Sequence, residues 1–573
     1  MQERPLRLDI TATSLGMWHV DNRNTLPYDD HYGEFDNRLN FNLSYWRLVA
    51  ALRIDTGSYF HRPDAAVLAR NKAAEDAKKN GVPEIDPELQ EALQDQYTQR
   101  LRILYRNAYY VGKAYVTYSS PELEVTAGDS YVSFGRGLVL SLRKQDELAI
   151  DTTLLGGKVI GRLPHLTLTG VGGIANPVRI DEATGESLYP LPPTATEAAS
   201  GRGPILVYGQ DVILGGRAEV SALTGSLAVH AVRLLRETPF AKSGISGAKT
   251  VDMAGGSLQS TLPNSGSAYL EVALQKLTIP DAEQPPKGYA IYGSASSGLG
   301  TFSGLIELQH YRRFDALTAS LDKGRADAFQ FLRYSAPPTT EPITTDTRYL
   351  FFDRCVTGGR VRVDDRVLDN LLVYGAVGRF ATWSERGSGC REDPATEKRN
   401  DVTDLASGVD YRFQEGRSRL LTSGGVRYDQ QAEDGALFYR EWHAELSVAK
   451  ALTGPFSLEF DNRFRRRRQG SENLTVVACP AGRCPVAFPW IEGESYLSLK
   501  WTPVLSAGVG FEYTTLSGRA PTYFNLNVLY RYTPDSTLKL IAGQQRGALK
   551  CVSGVCREFP PFEGVRLEWT QRY

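Results

Sequence analysis

The sequence predicts an all-β protein that forms a single large antiparallel up-and-down transmembrane β-barrel of about 24 strands, within a range of roughly 22 to 26. Its last residues, Val565 to Tyr573, alternate apolar and polar side chains and end on an aromatic, as expected of a strand that closes a barrel. Similar alternating segments recur along the chain. Short Pro-marked turns join them at one end, and long polar connections join them at the other.

Composition favours one unit over several. A soluble chain of 573 residues would ordinarily divide into domains, but no linker or composition break divides residues 1–573. The 54 Gly and 29 Tyr against three Met suit a large β structure. The formal net charge of -1 gives no support for a nucleic-acid partner. No apolar run approaches the roughly 18 residues of a membrane helix.

The first clear strands lie near the N-terminus, where Leu39, Phe41, Leu43 and Tyr45 share one face and the chain turns at Trp46-Arg47. Strand assignment is weaker between about Gly225 and Asn370, where Gly and Ser interrupt the alternation, so two strands could be miscounted there. An even number of strands would place both termini at the same end of the barrel.

Residues 62–100 are the only strongly helical stretch. Asp64 is a candidate cap for a first helix that ends near Gly81, and Asp86-Pro87-Glu88 has the pattern of a second helix start. We therefore expect a helical insertion in an early extracellular loop. It is either a surface hairpin or a cap or plug over a wide lumen.

The C-terminal third has the clearest alternation. Apolar faces such as Phe456, Leu458 and Phe460 oppose charged faces, and tight turns follow at Thr502-Pro503 and at 533–536. The charged faces are expected to line the lumen, through Glu441, His443, Glu459, Asp461, Arg463, Glu494, Lys500 and Arg531. In the last strand, Val565, Leu567, Trp569 and Tyr573 are expected to face lipid and to serve as the signal for the barrel-assembly machinery.

All six cysteines lie in predicted long connections, where an even number indicates disulfides in an oxidising compartment. The candidate pairs are Cys355 with Cys390, Cys479 with Cys484, and Cys551 with Cys556. A metal site is the alternative, but no histidine lies near the two close pairs.

Two charged groups lie near predicted strand ends. The run Arg465, Arg466, Arg467 and Arg468 is either a solvated basic loop or a contact for an anion or for lipopolysaccharide phosphates. The acidic residues from Asp21 to Asp36, which include Asp29, Asp30 and Glu34, have no cation-binding spacing and are expected to be solvated.

The stretch from Ala127 to Leu138 is unusually structured for a loop. Its glycines permit tight backbone geometry, and Asp129 and Arg136 are placed to pair across it. Phe134-Gly135-Arg136-Gly137 is expected to form either an inward constriction or a rigid loop anchor. Together, Gly128-Asp129 to Leu138 and Asp151 to Gly157 resemble the signature of an uncharacterised family of large bacterial outer-membrane barrels. The resemblance implies location and fold, and supplies no activity.

Catalytic motifs are missing from the sequence. The seven histidines are scattered, and no Gly-x-Ser-x-Gly or His-Glu-x-x-His occurs. Without Cys-x-x-Cys-His, the chain attaches no c-type haem itself. We therefore expect a protein that is not an enzyme and that has no cofactor and no metal.

The sequence therefore favours a porin-like channel or transport conduit in the outer membrane of a Gram-negative bacterium. The alternative is a structural sheath that holds a lipoprotein, a secretion component or a cytochrome in its lumen, and a soluble secreted β-rich adhesin is disfavoured. Expected partners are membrane lipid, lipopolysaccharide, the barrel-assembly machinery and a lumenal or periplasmic protein. The N-terminus lacks a signal peptide, which we expect to have been removed.

Overall fold

One closed antiparallel sheet of 24 strands forms the wall of the computed structural model and confirms the predicted up-and-down barrel. The structure describes residues 6–21, 29–81, 86–105, 107–177, 180, 211–222, 224–236, 249–279, 287–314, 317–320, 331–336, 338, 355–383, 399–431, 437–469, 489–516, 520–547, 549–552, 555–559 and 561–573.

The barrel strands follow chain order around the wall. The first twelve are β1 Arg7–His19, β2 Gly33–Tyr45, β3 Leu48–Phe60, β4 Ala108–Ser119, β5 Leu123–Ser130, β6 Thr153–Arg162, β7 Leu166–Asn176, β8 Asp211–Ala222, β9 Gly225–Arg236, β10 Thr250–Leu262, β11 Gly266–Thr278 and β12 Lys287–Leu299. The second twelve are β13 Phe302–Arg312, β14 Val356–Leu368, β15 Leu371–Trp383, β16 Arg399–Phe413, β17 Ser418–Gln431, β18 Leu437–Ala451, β19 Phe456–Gln469, β20 Trp490–Trp501, β21 Leu505–Thr514, β22 Thr522–Thr533, β23 Ser536–Gln545 and β24 Phe562–Arg572.

Each strand pairs with its neighbours in the chain, and β24 pairs with β1 to close the ring. At this closure the Tyr573 amide donates to the Ile10 carbonyl at 2.8 Å, and the Ile10 amide donates to the Tyr573 carbonyl at 3.2 Å. Each strand of the closed ring therefore has a paired neighbour on both sides, as a β structure in lipid requires.

Turns of two to four residues join the strands at one end, which we call the turn end, and longer connections join them at the other, the loop end. The first strand begins and the last strand ends at the turn end, as the even strand number predicts. The predicted miscount between Gly225 and Asn370 does not occur, because glycines such as Gly255 and Gly256 lie inside continuous strands such as β10.

The two faces of the wall differ in chemistry. On β24 the outward Val565, Leu567 and Trp569 are each more than 40% exposed, while Arg566 and Glu568 face inward and pair with each other at 3.4 Å. Exposed apolar side chains recur in the same outward positions of the other strands. This outer face has the composition of a lipid-contacting surface.

Exposed aromatic side chains lie on the outer face near both ends of the wall. Near the turn end they are Tyr45, Trp46, Phe302, Phe456, Trp501, Tyr530, Tyr532, Trp569 and Tyr573, and near the loop end they include Trp18, Phe35, Phe60, Tyr109, Trp442 and Phe524. A girdle of aromatics is typical of the membrane interface, where amphipathic rings contact headgroups.

The helical insertion consists of α1 Ala65–Lys79 and α2 Pro87–Leu104. The Asp64 carboxylate accepts from the Ala66 amide at 2.8 Å, and the Asp86 carboxylate accepts from the Glu88 amide at 3.0 Å. Both predicted N-caps are therefore present. The insertion is confirmed, and its role as cap or plug stays a prediction.

The difference between the faces gives a test of the wall. Leu567→Lys places a charge on the lipid face near the middle of β24 and should cost about 2–4 kcal/mol, whereas Thr570→Lys places the same charge inside. We expect Leu567→Lys to reduce the folded, heat-modifiable band in membrane fractions on gels. Equal loss from Thr570→Lys would contradict the assigned faces.

Candidate functional site

The main feature of the lumen is the connection between β5 and β6, residues 131–152, which we call the inner loop. It forms two small ribbons, Val132–Phe134 with Leu140–Leu142 and Lys144–Gln145 with Ile150–Asp151. A short turn of 3-10 helix at Asp146–Leu148 joins the two strands of the second ribbon. The inner loop is therefore a folded unit with its own backbone pairing.

An apolar core attaches the inner loop to the inside of the wall. Its own side chains Phe134, Leu138, Val139, Leu140 and Leu148 are fully buried. They pack in one cluster with inward side chains of strands β6 to β16, namely Leu154, Val171, Ala175, Ile213, Val232, Leu234, Val251, Met253, Tyr269, Ala273, Leu277, Ala290, Tyr292, Tyr311, Val356, Phe380 and Val402. This half of the lumen is filled by the protein itself.

Glycine permits the closest approach of the inner loop to the wall. Gly135 has a φ of +57°, and a Cβ there would lie 2.4 Å from the Glu271 carboxylate. On the wall, a Cβ at Gly215 would lie 3.1 Å from the Phe134 ring. A side chain at Gly135 would therefore push the loop away from β11.

Arg136 fastens the tip of the inner loop to β11 and β12. Its backbone amide donates to Glu271 Oε2 at 2.8 Å and to the Tyr269 hydroxyl at 3.0 Å. Its guanidinium donates to the Tyr292 hydroxyl at 3.2 Å and lies 4.4 Å from the centre of the Tyr269 ring. The Tyr292 hydroxyl in turn donates to Glu307 Oε1 at 2.9 Å.

Asp151 fastens the other end of the inner loop to β3 and β4. Arg53 Nη1 lies 2.7 Å from Asp151 Oδ2, the Lys113 ammonium contacts Oδ1, and the Tyr131 hydroxyl donates to Oδ1 at 2.5 Å. Arg53 also bonds Asp55 at 2.9 Å. The side chains of Arg53, Lys113 and Asp151 are each at most 10% exposed. Asp151 and Arg136 thus bind parts of the wall that are eight strands apart, and the inner loop spans the lumen between them.

Burial by itself would favour the neutral form of Asp151. The Lys113 ammonium, the Tyr131 hydroxyl and the Arg53 guanidinium outweigh it and hold the pKa of Asp151 below its ordinary value. A carboxyl with a lowered folded-state pKa contributes stability above its unfolded pKa and loses it as pH falls through the folded pKa. This tether is therefore charged and intact at neutral and mildly acidic pH.

Asp129 and Arg136 do not form the predicted pair. Asp129 accepts from the Ala114 amide at 2.8 Å, from Thr153 Oγ1 at 2.7 Å and from Asn176 Nδ2 at 2.7 Å. The reason is the chain path: β5 ends at Ser130, so Asp129 stays in the wall while the inner loop carries Arg136 across to β11. Phe134 packs on inward side chains of the wall and Arg136 bonds Glu271, and the role of Phe134 to Gly137 as a constriction or as a loop anchor stays a prediction.

A second segment, from the connection between β13 and β14, packs on the inner loop. The Ser141 amide donates to the Tyr334 carbonyl at 2.7 Å, and the Ala336 amide donates to the Gly137 carbonyl at 2.9 Å. Phe314, Leu317 and Tyr334 are fully buried in the same apolar cluster. These contacts join the inner loop to the connection between β13 and β14.

The other part of the lumen carries charge. Strand alternation places all eight expected lining residues on the inner face, namely Glu441, His443, Glu459, Asp461, Arg463, Glu494, Lys500 and Arg531. Arg463 donates to Glu494 at 2.9 Å, and Lys500 lies 2.5 Å from Glu459. The Arg463 side chain is 54% exposed although it faces inward. The lumen beside Arg463 is therefore not filled by the described part of the chain.

The four arginines of β19 divide between the two faces. Arg467 faces inward, bonding Glu441 at 2.7 Å and Glu492 at 2.9 Å, and Arg465 shares its face. Arg466 and Arg468 face outward and are exposed. A contact with anions or lipopolysaccharide stays a prediction for the outward pair.

Sequence reasoning missed the buried charges at the loop end. Glu34 and Asp36 were expected in a solvated loop, but they lie on the inner face of β2 and are at most 7% exposed. Neither Lys113 nor Glu271 was singled out. The sequence did contain a sign that Glu271 is special. It is the charged residue among the inward positions Tyr269, Glu271 and Ala273 of a strand whose outer face is mainly apolar.

The cysteines are only partly described. Cys355 is buried at the start of β14 and takes part in a disulfide. Cys551 and Cys556 are directly opposite each other in a ribbon of Leu549–Val552 with Val555–Glu558. Cys390, Cys479 and Cys484 lie outside the described residues, so the three pairings stay predictions.

The helical insertion sits on an aromatic cluster beside the lumen-facing core. Leu68, Leu101 and Tyr105 pack with Tyr32 and Tyr59, which lie at the loop-end rim of β2 and β3. None of the described helix residues belongs to the apolar cluster of the inner loop.

The described residues hold no group of three or more His, Cys, Asp or Glu side chains arranged to bind a metal ion. None of their helices is long and apolar enough to cross a membrane.

A closed antiparallel wall with an apolar outside and a charged inside defines a transmembrane β-barrel. The inner loop makes it a barrel whose lumen is partly filled by its own chain. The model of a family of unknown function, DUF6029, matches residues 93–182, a range that holds the whole inner loop and both stretches of the resemblance described above. No curated protein matches the chain.

Several solved structures are similar in architecture. The siderophore receptor PirA from Pseudomonas aeruginosa aligns with a TM-score of 0.46 and 7% identity over 99% of this chain and 80% of that one. The P pilus usher PapC translocation pore gives 0.39 and 10% over 99% of both chains. The copper transporter OprC gives 0.44 and 11% over 100% of this chain and 82% of that one. With TM-scores this low, nothing about cargo follows from these likenesses.

The Asp151 tether can be tested by removing its charge. Asp151→Asn leaves Arg53 and Lys113 buried without a full counter-charge, which should cost about 3–5 kcal/mol. We expect faster amide hydrogen exchange in peptides covering residues 131–152, measured by mass spectrometry.

Asp146→Asn is the matched control, because Asp146 lies in the same loop with its side chain 73% exposed. Its substitution should leave exchange unchanged. Equal exchange in Asp151→Asn and the native protein would show that Asp151 does not hold the loop.

Proposed function

We propose that the protein is a conduit for small hydrophilic solutes across a bacterial outer membrane, with the inner loop narrowing its lumen. The observation that carries the proposal is the contrast between the two parts of the lumen. Strands β6 to β16 bury apolar side chains under the inner loop. Strands β18 to β20 carry inward charged side chains instead, of which Glu441, Arg467 and Glu492 near the loop end are buried, whereas Arg463 and Lys500 farther from it remain exposed.

The exposed inward charges favour an aqueous path. Ion pairs such as Lys500 with Glu459 and Arg463 with Glu494 place both signs along the same strands. A charged surface facing a cavity is stable only when water or a polar solute contacts it. Because the lining carries both signs of charge, we expect weak charge selectivity and passage of solutes of low net charge.

The inner loop also bears on the alternative of a sheath around a partner protein. The loop and the segment packed on it occupy the half of the lumen beside β6 to β16. A sheath would need this space for its partner protein, whereas a conduit for small solutes needs only the remaining width. The contacts of the inner loop therefore support a conduit over a sheath.

We further propose that the loop end faces outward from the cell and the turn end faces the periplasm. Long connections at one end and tight turns at the other are typical of outer-membrane barrels. The outward apolar residues of β24, with Tyr573 at its end, are the segment we propose for contact with the barrel-assembly machinery.

Conductance tests the role of the inner loop. Replacing residues 133–149 by a short Gly-Ser linker should increase single-channel conductance in planar bilayers, because it removes the packed segment from the lumen. Replacing both helices, residues 65–104, by the same linker should leave conductance near the native value. A larger increase from the helix deletion would make the helical insertion the barrier instead.

Conductance also separates the conduit from the sheath. A native protein that folds in bilayers but conducts nothing, even without residues 133–149, would contradict the conduit. A stoichiometric protein copurifying in detergent would then support the sheath.

Charge selectivity tests the lining. Arg463→Ser leaves the exposed Glu494 and Glu445 without their cation, so the reversal potential in a KCl gradient should shift toward cation preference. Arg379→Ser removes the same charge from the outer face, where the side chain is 68% exposed, and should produce no shift. Equal shifts would remove Arg463 from the ion path.

A further inference from the structure

A row of charged residues crosses four neighbouring strands on the outer face of the barrel. Arg233, Asp252, Lys276 and Lys287 are register partners on β9, β10, β11 and β12. All four alternate with inward residues of the apolar cluster and therefore point away from the lumen. Charged side chains in the lipid-facing direction are costly unless a headgroup or water meets them.

The height of this row matches the membrane interface. Lys276 follows the turn-end residue Gly266 along β11. At about 3.3 Å per residue and a strand tilt of about 45°, the separation corresponds to a height of about 23 Å, close to the roughly 25 Å apolar band of such barrels. The row therefore lies at the loop-end edge of the apolar belt, where lipid phosphates are found.

The row has an excess of positive charge. Arg233 Nε lies 2.6 Å from Asp252 Oδ1, so this carboxylate is already paired. Lys276 and Lys287 lie next along the row, and both are exposed. Three cations to one carboxylate complement an anionic group.

An apolar groove begins directly on the membrane side of the row. Ala231, Ala254 and Leu274 are register partners on β9 to β11, one outward position closer to the turn end than the charges. Together with Leu214 and all four charged residues they line a groove of about 790 Å³. The two alanines leave the depression, because their neighbours in the same strands have larger side chains such as Leu235 and Leu258.

We propose that this groove binds a phosphate-bearing lipid of the leaflet at the loop end. The phosphate contacts Arg233, Lys276 and Lys287, and an acyl chain lies along Ala231 and Ala254. A free phosphate ion would use only the upper part of the site. The continuous apolar groove below the cations therefore favours a membrane lipid as the occupant.

Native mass spectrometry of the full chain in detergent, with bisphosphorylated lipid A as the probe, tests the site. We expect Lys276→Gln combined with Lys287→Gln to weaken lipid binding about tenfold or more. Lys450→Gln combined with Arg417→Gln removes the same charge from the turn end, and should leave binding unchanged. Equal binding by the two double variants would overturn the proposal.

A second variant tests the apolar groove separately from the cations that contact the phosphate. Ala254→Phe fills the groove while keeping an apolar outer face, so the barrel should fold and lipid binding should fall. Binding that survives Ala254→Phe, or that inorganic phosphate at equal concentration abolishes, would show an anion site without a lipid groove. Diacylglycerol, which has acyl chains but no phosphate, would contradict recognition of the phosphate by the cations if it bound as tightly as lipid A. Neither result depends on conductance, so the lipid site and the proposed conduit can fail separately.

Discussion

The structure depends on the pairing of every wall strand with a neighbour on each side. A backbone amide or carbonyl left unpaired in lipid costs several kcal/mol, so a sheet in a membrane must close on itself. Closure here joins Tyr573 to Ile10 by two backbone hydrogen bonds. Once the ring is closed, alternation gives each strand one face for lipid and one for the lumen, and every other feature is placed on one of these faces.

A wide ring creates a problem that the inner loop addresses. A barrel of this size encloses more space than inward side chains can fill. Residues 131–152 pack on the inner face of β6 to β16, about half of the strands of the wall. They bury Phe134 and Leu140 there as in the core of a small soluble protein. The ion pairs at Asp151 fix one end of this loop, and the bonds of Arg136 fix its tip. The charges left exposed on β18 to β20 then face the remaining space.

Much of this architecture follows from the sequence because period-two alternation repeats in every strand. The strand class, the approximate number of strands, the faces of β24 and both helix caps depend on local patterns. The contacts of the inner loop do not depend on local patterns, since Arg136 bonds Tyr269 and Glu271 across more than a hundred residues of chain. Spacing suggested a local Asp129–Arg136 pair, and only the early end of β5 shows why the two residues separate. The burial of Glu34 likewise depends on where β2 begins.

The wall itself has a seam beside the inner loop. β5 stops at Ser130, so the part of β4 before Ala114 is paired with β3 but has no strand on its other side. On that side the Ala114 amide donates to the Asp129 carboxylate instead. Asn176, on β7, bridges the same seam by donating to Asp129 and to the Gly112 carbonyl. These bonds are complete only after β6 and β7 have joined the sheet. The stability of the seam therefore depends on strands that lie on both sides of the inner loop in the sequence.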